Sequence, residues 1–326
     1  MIITILRGMI INMKDIKDDI PIKDSYIPRH SGDYKYLNKS IEPSNKVKKT
    51  ITTVKKKRRI KKWVWNVIII ILVIILCLSL LKIIFWGKDN KDTNDIIEDI
   101  NNDIEVIMKE DTEDTELINE PEDDKEISDY WYYTSFSLID VDINKLKEKN
   151  SDTVGWINVN NTNVNYPFVH YKDNEFYLNH SYDKSYNDAG WVFMDYRNNI
   201  NLDNKNTILY AHSRLDKSMF GSLSKVLNHE WFTNKENHII RISTESENTL
   251  WQIFSVYKIE EESYYITTDF SSDDAYVKFL NSLSSRSIYN FSTNLNSSDR
   301  ILTLSTCYSD TERTVVHAKL IKRSLK

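Results

Sequence analysis

Residues 301–321 read ILTLSTCYSDTERTVVHAKLI. Two apolar runs, 301–306 and 313–321, flank a short polar stretch. Only residues 308–312 separate Cys307 from Arg313. That is too few for a parallel crossover, so the two runs predict an antiparallel hairpin. Cys307 then ends the first strand, and Arg313 opens the second, near it across the turn. In the second strand Val316, Ala318 and Leu320 share one face, and Arg313, Val315, His317 and Lys319 share the other.

Working back from this hairpin, further short runs broken by Asn-rich turns read as strands. The stretch VGWINVNNTNVNYPFVHY after residue 153 has this character, as do 190–196, 206–212, 238–244 and 250–259. Residues 138–149 predict a helix with Leu138, Ile139, Ile143 and Leu146 on one side. Residues 272–286 predict another, capped by Ser272 or Asp273, with Ala275, Val277, Phe279, Leu280 and Leu283 inward. Many short strands with one or two helices imply a closed or nearly closed β-barrel.

One segment belongs to a different solvent. Residues 63–86, WVWNVIIIILVIILCLSLLKIIFW, are apolar on every face and carry Trp63, Trp65 and Trp86 at their ends. About 20 residues of helix span a bilayer core, and aromatic belts mark its edges. The position of the segment and the lack of a small-residue cleavage site argue against a signal peptide. Residues 46–62 hold ten Lys or Arg and no acid, while 88–128 hold seventeen Asp or Glu against four Lys. The positive-inside rule therefore places residues 1–62 in the cytoplasm and residues 87–326 outside the cell. Residues 87–128 read as an acidic extracellular linker, a solvated tether. A short amphipathic helix interrupts it at Ile96, Ile97, Ile100, Ile104, Ile107 and Met108. Globular patterning resumes with the aromatic cluster Tyr130 to Tyr133, so the globular domain is taken as 129–326. The opening MIITILRGMIIN is apolar but far too short to span, which leaves the start open between Met1 and Met13.

A net charge of −5 excludes a general nucleic-acid binder. No His/Cys/Asp/Glu grouping has metal-ligand spacing, and no glycine loop could cradle a phosphate, so no metal or cofactor is expected. Of the two cysteines, Cys77 lies in the apolar helix. Cys307 is alone in the exported part, with three readings: an inert buried thiol, an intermolecular bridge, or a nucleophile. Arg313 beside it would favour thiolate and could hold a developing oxyanion. The bland alternative for Arg313 is pairing with Asp310 or Glu312. A thiol nucleophile also needs a proton partner. His212 ends an apolar run and precedes a polar turn, a position where catalytic groups are found. His317 falls mid-strand and reads as structural. His170, His180, His229 and His238 have no distinguishing context.

Taken in order, the motifs DTVGWINV, YPFVHYKDNEFYL, GWVFMDYRN, NTILYAHS, SMFGSL and TLSTC…R.VVHAKL resemble the sortases, the cysteine transpeptidases of Gram-positive cell walls. The likeness covers residues 138–321. The Ser before Thr-Cys and the helix at 272–286 favour class B. This resemblance implies a mainly β fold: a closed barrel of about eight strands with an N-terminal helix. A helical insertion precedes the penultimate strand, and a single transmembrane helix precedes the whole. It implies Cys307 as nucleophile, His212 as general acid and base, and Arg313 as the group that orients substrate and steadies the oxyanion. It implies that Asn174, Leu178, Ser305, Thr306, Tyr265 and Ile266 line a peptide groove. It further implies surface proteins bearing a C-terminal sorting signal, NPxTx or PPxTG-like, as partners, and a peptidoglycan precursor amine as acceptor. The family often has Gly before this histidine and Asn after it. Here Ala211 and Ser213 stand there, and neither change removes a catalytic group. The Cys-to-Arg gap is also short. A hydrolytic or pilin-polymerising enzyme on the same scaffold remains open, as does a catalytically idle, membrane-tethered binding module.

Overall fold

The computed structural model describes residues 61–119, 124–260, 262–307 and 312–326, with only the backbone of residues 124–128 and of Cys307. The basic N-terminal segment up to residue 60 and the alternative starts at Met1 and Met13 lie outside the described residues. So do residues 308–311, with Asp310.

The C-terminal hairpin forms as its spacing requires. Strand β10 (Ile301–Cys307) pairs antiparallel with β11 (Glu312–Leu325), Leu304 opposite Val316 and Cys307 opposite Arg313. Six further strands complete the barrel: β4 (Thr153–Val159), β5 (Asn165–His170), β6 (Phe193–Met194), β7 (Asn206–His212), β8 (Ile239–Thr244) and β9 (Glu247–Glu260) join β10 and β11 in the order β10-β7-β6-β5-β4-β8-β9-β11. The β10–β11 pairing closes this row of eight, with parallel contacts at β10–β7 and β5–β6. Closure removes the exposed edges that an open sheet would present. The mixed, closed barrel of eight strands agrees with the expected fold.

The face assignment of β11 holds. Val316, Ala318 and Leu320 enter the interior core with Trp156, Phe168 and Leu304. Val315 instead packs outward, under helix Asp273–Ser285. That helix starts where expected: Ser272 Oγ accepts from the Ala275 amide at 3.2 Å. Its buried residues are Tyr276, Leu280 and Leu283; Tyr276 replaces the expected Ala275 as an inner position. Because this helix covers the outside of β9 and β11, both faces of those strands are buried, and the usual alternation is lost there.

Two expected elements differ. Residues 138–149 do not form one helix. Leu138–Asp140 is a strand, β3, and the helix begins only at Ile143. Asp142 sets that start, accepting the Lys145 amide at 3.1 Å. The run 190–196 contributes only Phe193 and Met194 as strand.

The acidic stretch is not a solvated tether where it is described. Helix α1 (Lys62–Asp103) runs without a break from the apolar segment into it, and is about 63 Å long at 1.5 Å per residue. It is one helix long and apolar enough to cross a membrane, and its 18-residue apolar window is wholly unburied. Its last turns dock on the barrel: Ile100 and Ile104 are buried in the core, and Ile96 and Ile97 pack against it. The chain then adds β1 (Ile107–Lys109) to β3, and β2 (Thr115–Leu117) to the far end of β11. The acids find cations on the domain. Lys149 reaches Asp99 and Asp103 at 2.5 Å, and Arg323 reaches Glu116 at 2.6 Å. The side chain of Lys322 is fully buried, with its Nζ on the Asp111 carboxylate at 2.7 and 2.9 Å. Charge matching to these lysines and arginines, together with four isoleucines at helical spacing, turns an apparently solvated composition into a strap.

Candidate active site

Strand β10 lies between β7, parallel to it, and β11, antiparallel to it. The two ladders share one register. Cys307 is paired with His212 on one side and with Arg313 on the other. Adjacent strands lie about 4.8 Å apart, so three residues from three strands meet on one rung at the barrel's rim. One rung below, Thr306 is flanked by Ala211 and Thr314, and below that Ser305 by Tyr210 and Val315.

A cleft of about 700 Å³ opens at this rim. His212, Arg313, Asn174, Leu178, Ser305, Thr306, Tyr265 and Ile266 all line it. Thus every expected site residue whose side chain is described borders the same cleft. Phe193, Tyr210, Ala211, Glu262, Ser263 and Tyr264 line it as well. Sequence reading missed these six. Glu262 to Tyr264 adjoin the expected pair Tyr265–Ile266, and Tyr210 and Ala211 adjoin His212, so proximity along the chain was the available signal.

His212 is fixed on both sides. Its carbonyl accepts the Phe220 amide at 3.1 Å, and its Nε2 lies 2.7 Å from the Leu178 carbonyl oxygen. A carbonyl only accepts, so Nε2 carries the hydrogen, and in the neutral ring the basic lone pair is at Nδ1. The loop after His212 folds back on itself, and Gly221 sits so close that an added Cβ would come within 2.3 Å of the Arg214 oxygen.

The opposite wall is set by a buried carboxylate. Asp195 is fully buried and accepts from Arg197 at 2.7 and 2.8 Å, from the Tyr210 hydroxyl at 2.8 Å, and from Asn174 Nδ2 at 3.1 Å. Burial alone would raise its pKa, but the hydrogen bonds from Arg197 and Tyr210 and the Arg197 charge together outweigh it and hold the carboxyl below its ordinary value. Arg197 also donates to the Ile266 carbonyl at 2.9 Å. Asn174 is therefore both a lining residue and a support, its Oδ1 accepting the Tyr196 amide at 3.0 Å. Across the cleft, Tyr265 Oη and Ser305 Oγ are 2.9 Å apart.

His317 is structural, as its mid-strand position predicts. It is fully buried between Tyr257 Oη, 2.8 Å from Nε2, and Thr303 Oγ1, 2.9 Å from Nδ1. Thr303 gives its own hydrogen to Asn206 Oδ1 at 2.7 Å, so Nδ1–H donates to Thr303 and Nε2 accepts from Tyr257. Burial pushes the His317 pKa down to about 3. Glu312 pairs with Lys258 at 2.8 Å, and Arg313 donates to the Glu312 main-chain oxygen at 3.3 Å.

Residues 157–321 match the Sortase domain family. The chain is 39% identical over 183 residues to sortase B of Staphylococcus aureus, covering 55% of this chain and 74% of that protein. It is 34% identical over 188 residues to sortase B of Listeria monocytogenes, covering 56% and 75%. Among solved structures, a Bacillus anthracis protein described as similar to sortase B shares 44% identity with a TM-score of 0.52, covering 55% of this chain and 82% of that one. A Staphylococcus aureus sortase B–substrate complex shares 38% identity with a TM-score of 0.52, covering 55% and 84%.

Proposed function

This chain belongs to the sortase family, as a sortase B-type cysteine transpeptidase that anchors surface proteins, and from that premise we propose that Cys307, His212 and Arg313 carry its reaction on a signal of the NPxTx or PPxTG-like class. The shared rung of the three residues is the observation that supports this assignment. The Cys307 thiolate attacks the threonine carbonyl carbon of the signal. Negative charge develops on the carbonyl oxygen, where the permanently protonated Arg313 guanidinium stabilises it. His212, protonated at this stage, gives its proton to the leaving amine as the C–N bond breaks, and a thioester remains. An acceptor amine, proposed to be that of a peptidoglycan precursor, then attacks the thioester. Neutral His212 takes the proton from the amine, the C–S bond breaks, and the thiolate returns. With Nε2–H committed to Leu178, the exchanging position is Nδ1.

The cleft suits an extended peptide. Leu178, Phe193, Tyr264 and Ile266 offer apolar walls, while Ser305, Thr306 and Asn174 offer hydrogen-bonding groups. Ser305, Thr306, Asn174, Leu178, Tyr265 and Ile266 are proposed to contact the signal. The basic residues before α1 and the acidic ones after it support an N-terminus in the cytoplasm and a catalytic domain outside the cell membrane.

The test uses the full chain in detergent with quenched peptides carrying NPxTx, PPxTG and LPxTG signals, beside Cys307→Ala, with and without an added amine. Cleavage that needs Cys307 and is diverted to an amide by the amine is the expected result. Cleavage whose product stays the free acid at saturating amine would replace transpeptidation by hydrolysis. A folded chain that cuts none of the peptides would sink the proposed signal class.

A further inference from the structure

Two loops of the catalytic domain grip α1 immediately beyond its apolar stretch. Asn187, almost fully buried, donates through Nδ2 to the Asp89 carbonyl at 3.1 Å and to Thr93 Oγ1 at 3.2 Å. Arg214, 8% exposed, hydrogen-bonds Asn90 Oδ1 and lies 3.8 Å from Asp216. Trp86, the last aromatic of the apolar stretch, precedes Asn90 by four residues. At 1.5 Å per residue that separation is about 6 Å along the axis, and helix tilt only shortens its height above the bilayer. The polar headgroup layer on each side of a bilayer is about 5–8 Å thick. The loops around Asn187 and Arg214 are therefore held at headgroup level by the helix itself.

These same loops expose what a headgroup layer accepts. Leu215, next to Arg214, is 85% exposed, and Tyr186, next to Asn187, is 69% exposed. Leu215 is the most exposed large hydrophobic side chain among the described residues. Tyr186 donates to Asp188 at 2.7 Å, and the Asp89 carboxylate is near enough to help raise its phenol pKa, after Asp188 itself. Tyrosine favours the membrane interface because its ring is apolar and its hydroxyl polar. Lys88 and Lys91 on α1 and Lys217 in the second loop are exposed cations suited to lipid phosphate.

We propose that the loops 183–188 and 213–219 form a membrane-contact surface, with Tyr186 and Leu215 seated in the phospholipid headgroup layer. His212 is two residues from Arg214, so this contact would hold the histidine end of the catalytic rung at a fixed depth beside the bilayer. The proposal rests on α1 spanning the membrane.

The experiment places the full chain, as Cys307→Ala, in phosphatidylcholine–phosphatidylglycerol nanodiscs. An environment-sensitive fluorophore is attached to the natural Cys77, or, with Cys77→Ser added, to Leu215→Cys, Tyr186→Cys or Lys278→Cys. Quenching is compared between lipids bearing a nitroxide on the headgroup and lipids bearing one deep in the acyl chain. The expected pattern is deep quenching at Cys77, and headgroup quenching at 215 and 186 several-fold above that at 278, an exposed position on the outer helix. Deep quenching at Cys77 with 215 and 186 no different from 278 would overturn the contact surface and leave the anchor standing. No quenching at Cys77 would overturn the anchor and the surface together.

Discussion

His212 donates its Nε2 hydrogen to the main-chain oxygen of Leu178 across 2.7 Å. The imidazole of one strand end is thereby oriented by the loop that also forms a wall of the cleft. Gly190 buttresses this loop. Its φ is +60°, and a Cβ there would come within 2.6 Å of the Tyr177 oxygen and 2.7 Å of the Leu178 oxygen.

Gly190→Ala therefore has two expected effects. Stability falls by about 1–3 kcal/mol from the left-handed backbone and the crowded carbonyls. In the variant that remains folded, kcat falls by on the order of 10-fold, part of the 10²–10⁴ that an acid–base group supplies. Thermal unfolding beside peptide cleavage separates the two. Wild-type kcat in a destabilised but folded variant would show that the Leu178 carbonyl does not position the histidine.

Arg313→Lys keeps the charge on the rung but loses the planar guanidinium. A lysine ammonium is a point charge that cannot present parallel donors. The expected result is a kcat lower by about 10²–10³ with a nearly unchanged melting temperature, the range for loss of an oxyanion donor. Steady-state kinetics on the best peptide checks it. Retention of wild-type kcat would remove Arg313 from the proposed chemistry.

Two neutral, buried histidines set an acid limit on stability. Burial lowers His317 to about 3 and His238 to about 4. In the unfolded chain both titrate near 6.5. Protons then bind the unfolded chain first, so stability is complete well above pH 6.5 and is lost as the pH falls toward 4 and then 3. The slope is up to about 1.4 kcal/mol per pH unit for each histidine. Urea midpoints at pH 7.5, 6.5 and 5.5 should fall in both intervals, and more than twice as far across the lower one. His317→Gln should flatten that fall by roughly half, whatever its effect at pH 7.5. An unchanged slope in the variant would show that His317 is not the titrating group.

The strap predicts an asymmetry between the partners of one ion pair. Lys322 is fully buried, while the Asp111 side chain is 51% exposed. Asp111→Ala leaves a buried ammonium without its counter-charge and should cost about 1–3 kcal/mol, below the figure for a fully buried pair. Lys322→Met should cost much less, since an apolar side chain suits that position. Chemical denaturation of both single variants and the double variant tests this. Equal losses in the two singles would mean that the pair acts by attraction alone.

Much of the site was legible because it is local. The Cys307–Arg313 pairing follows from a five-residue gap, and His212 from the polarity change after 206–211. The pairing of β10 with β7 has no comparable signal. It joins segments about 95 residues apart, and it alone brings His212 beside Cys307. The supporting carboxylate Asp195 was also hidden, because its partners Asn174, Arg197 and Tyr210 come together only in the folded chain. Leu138 and Ile139 misled by falling at helical spacing with Ile143 and Leu146, although Asp142 was the helix start. The acidic stretch misled because composition records its charges and not the lysines and arginines that meet them.

The alignment of Cys307 with His212 and Arg313 is set by the pairing of 301–306 with 206–211 on one side and 314–319 on the other. A slip of either ladder by one residue would therefore part the three side chains while leaving every strand in place.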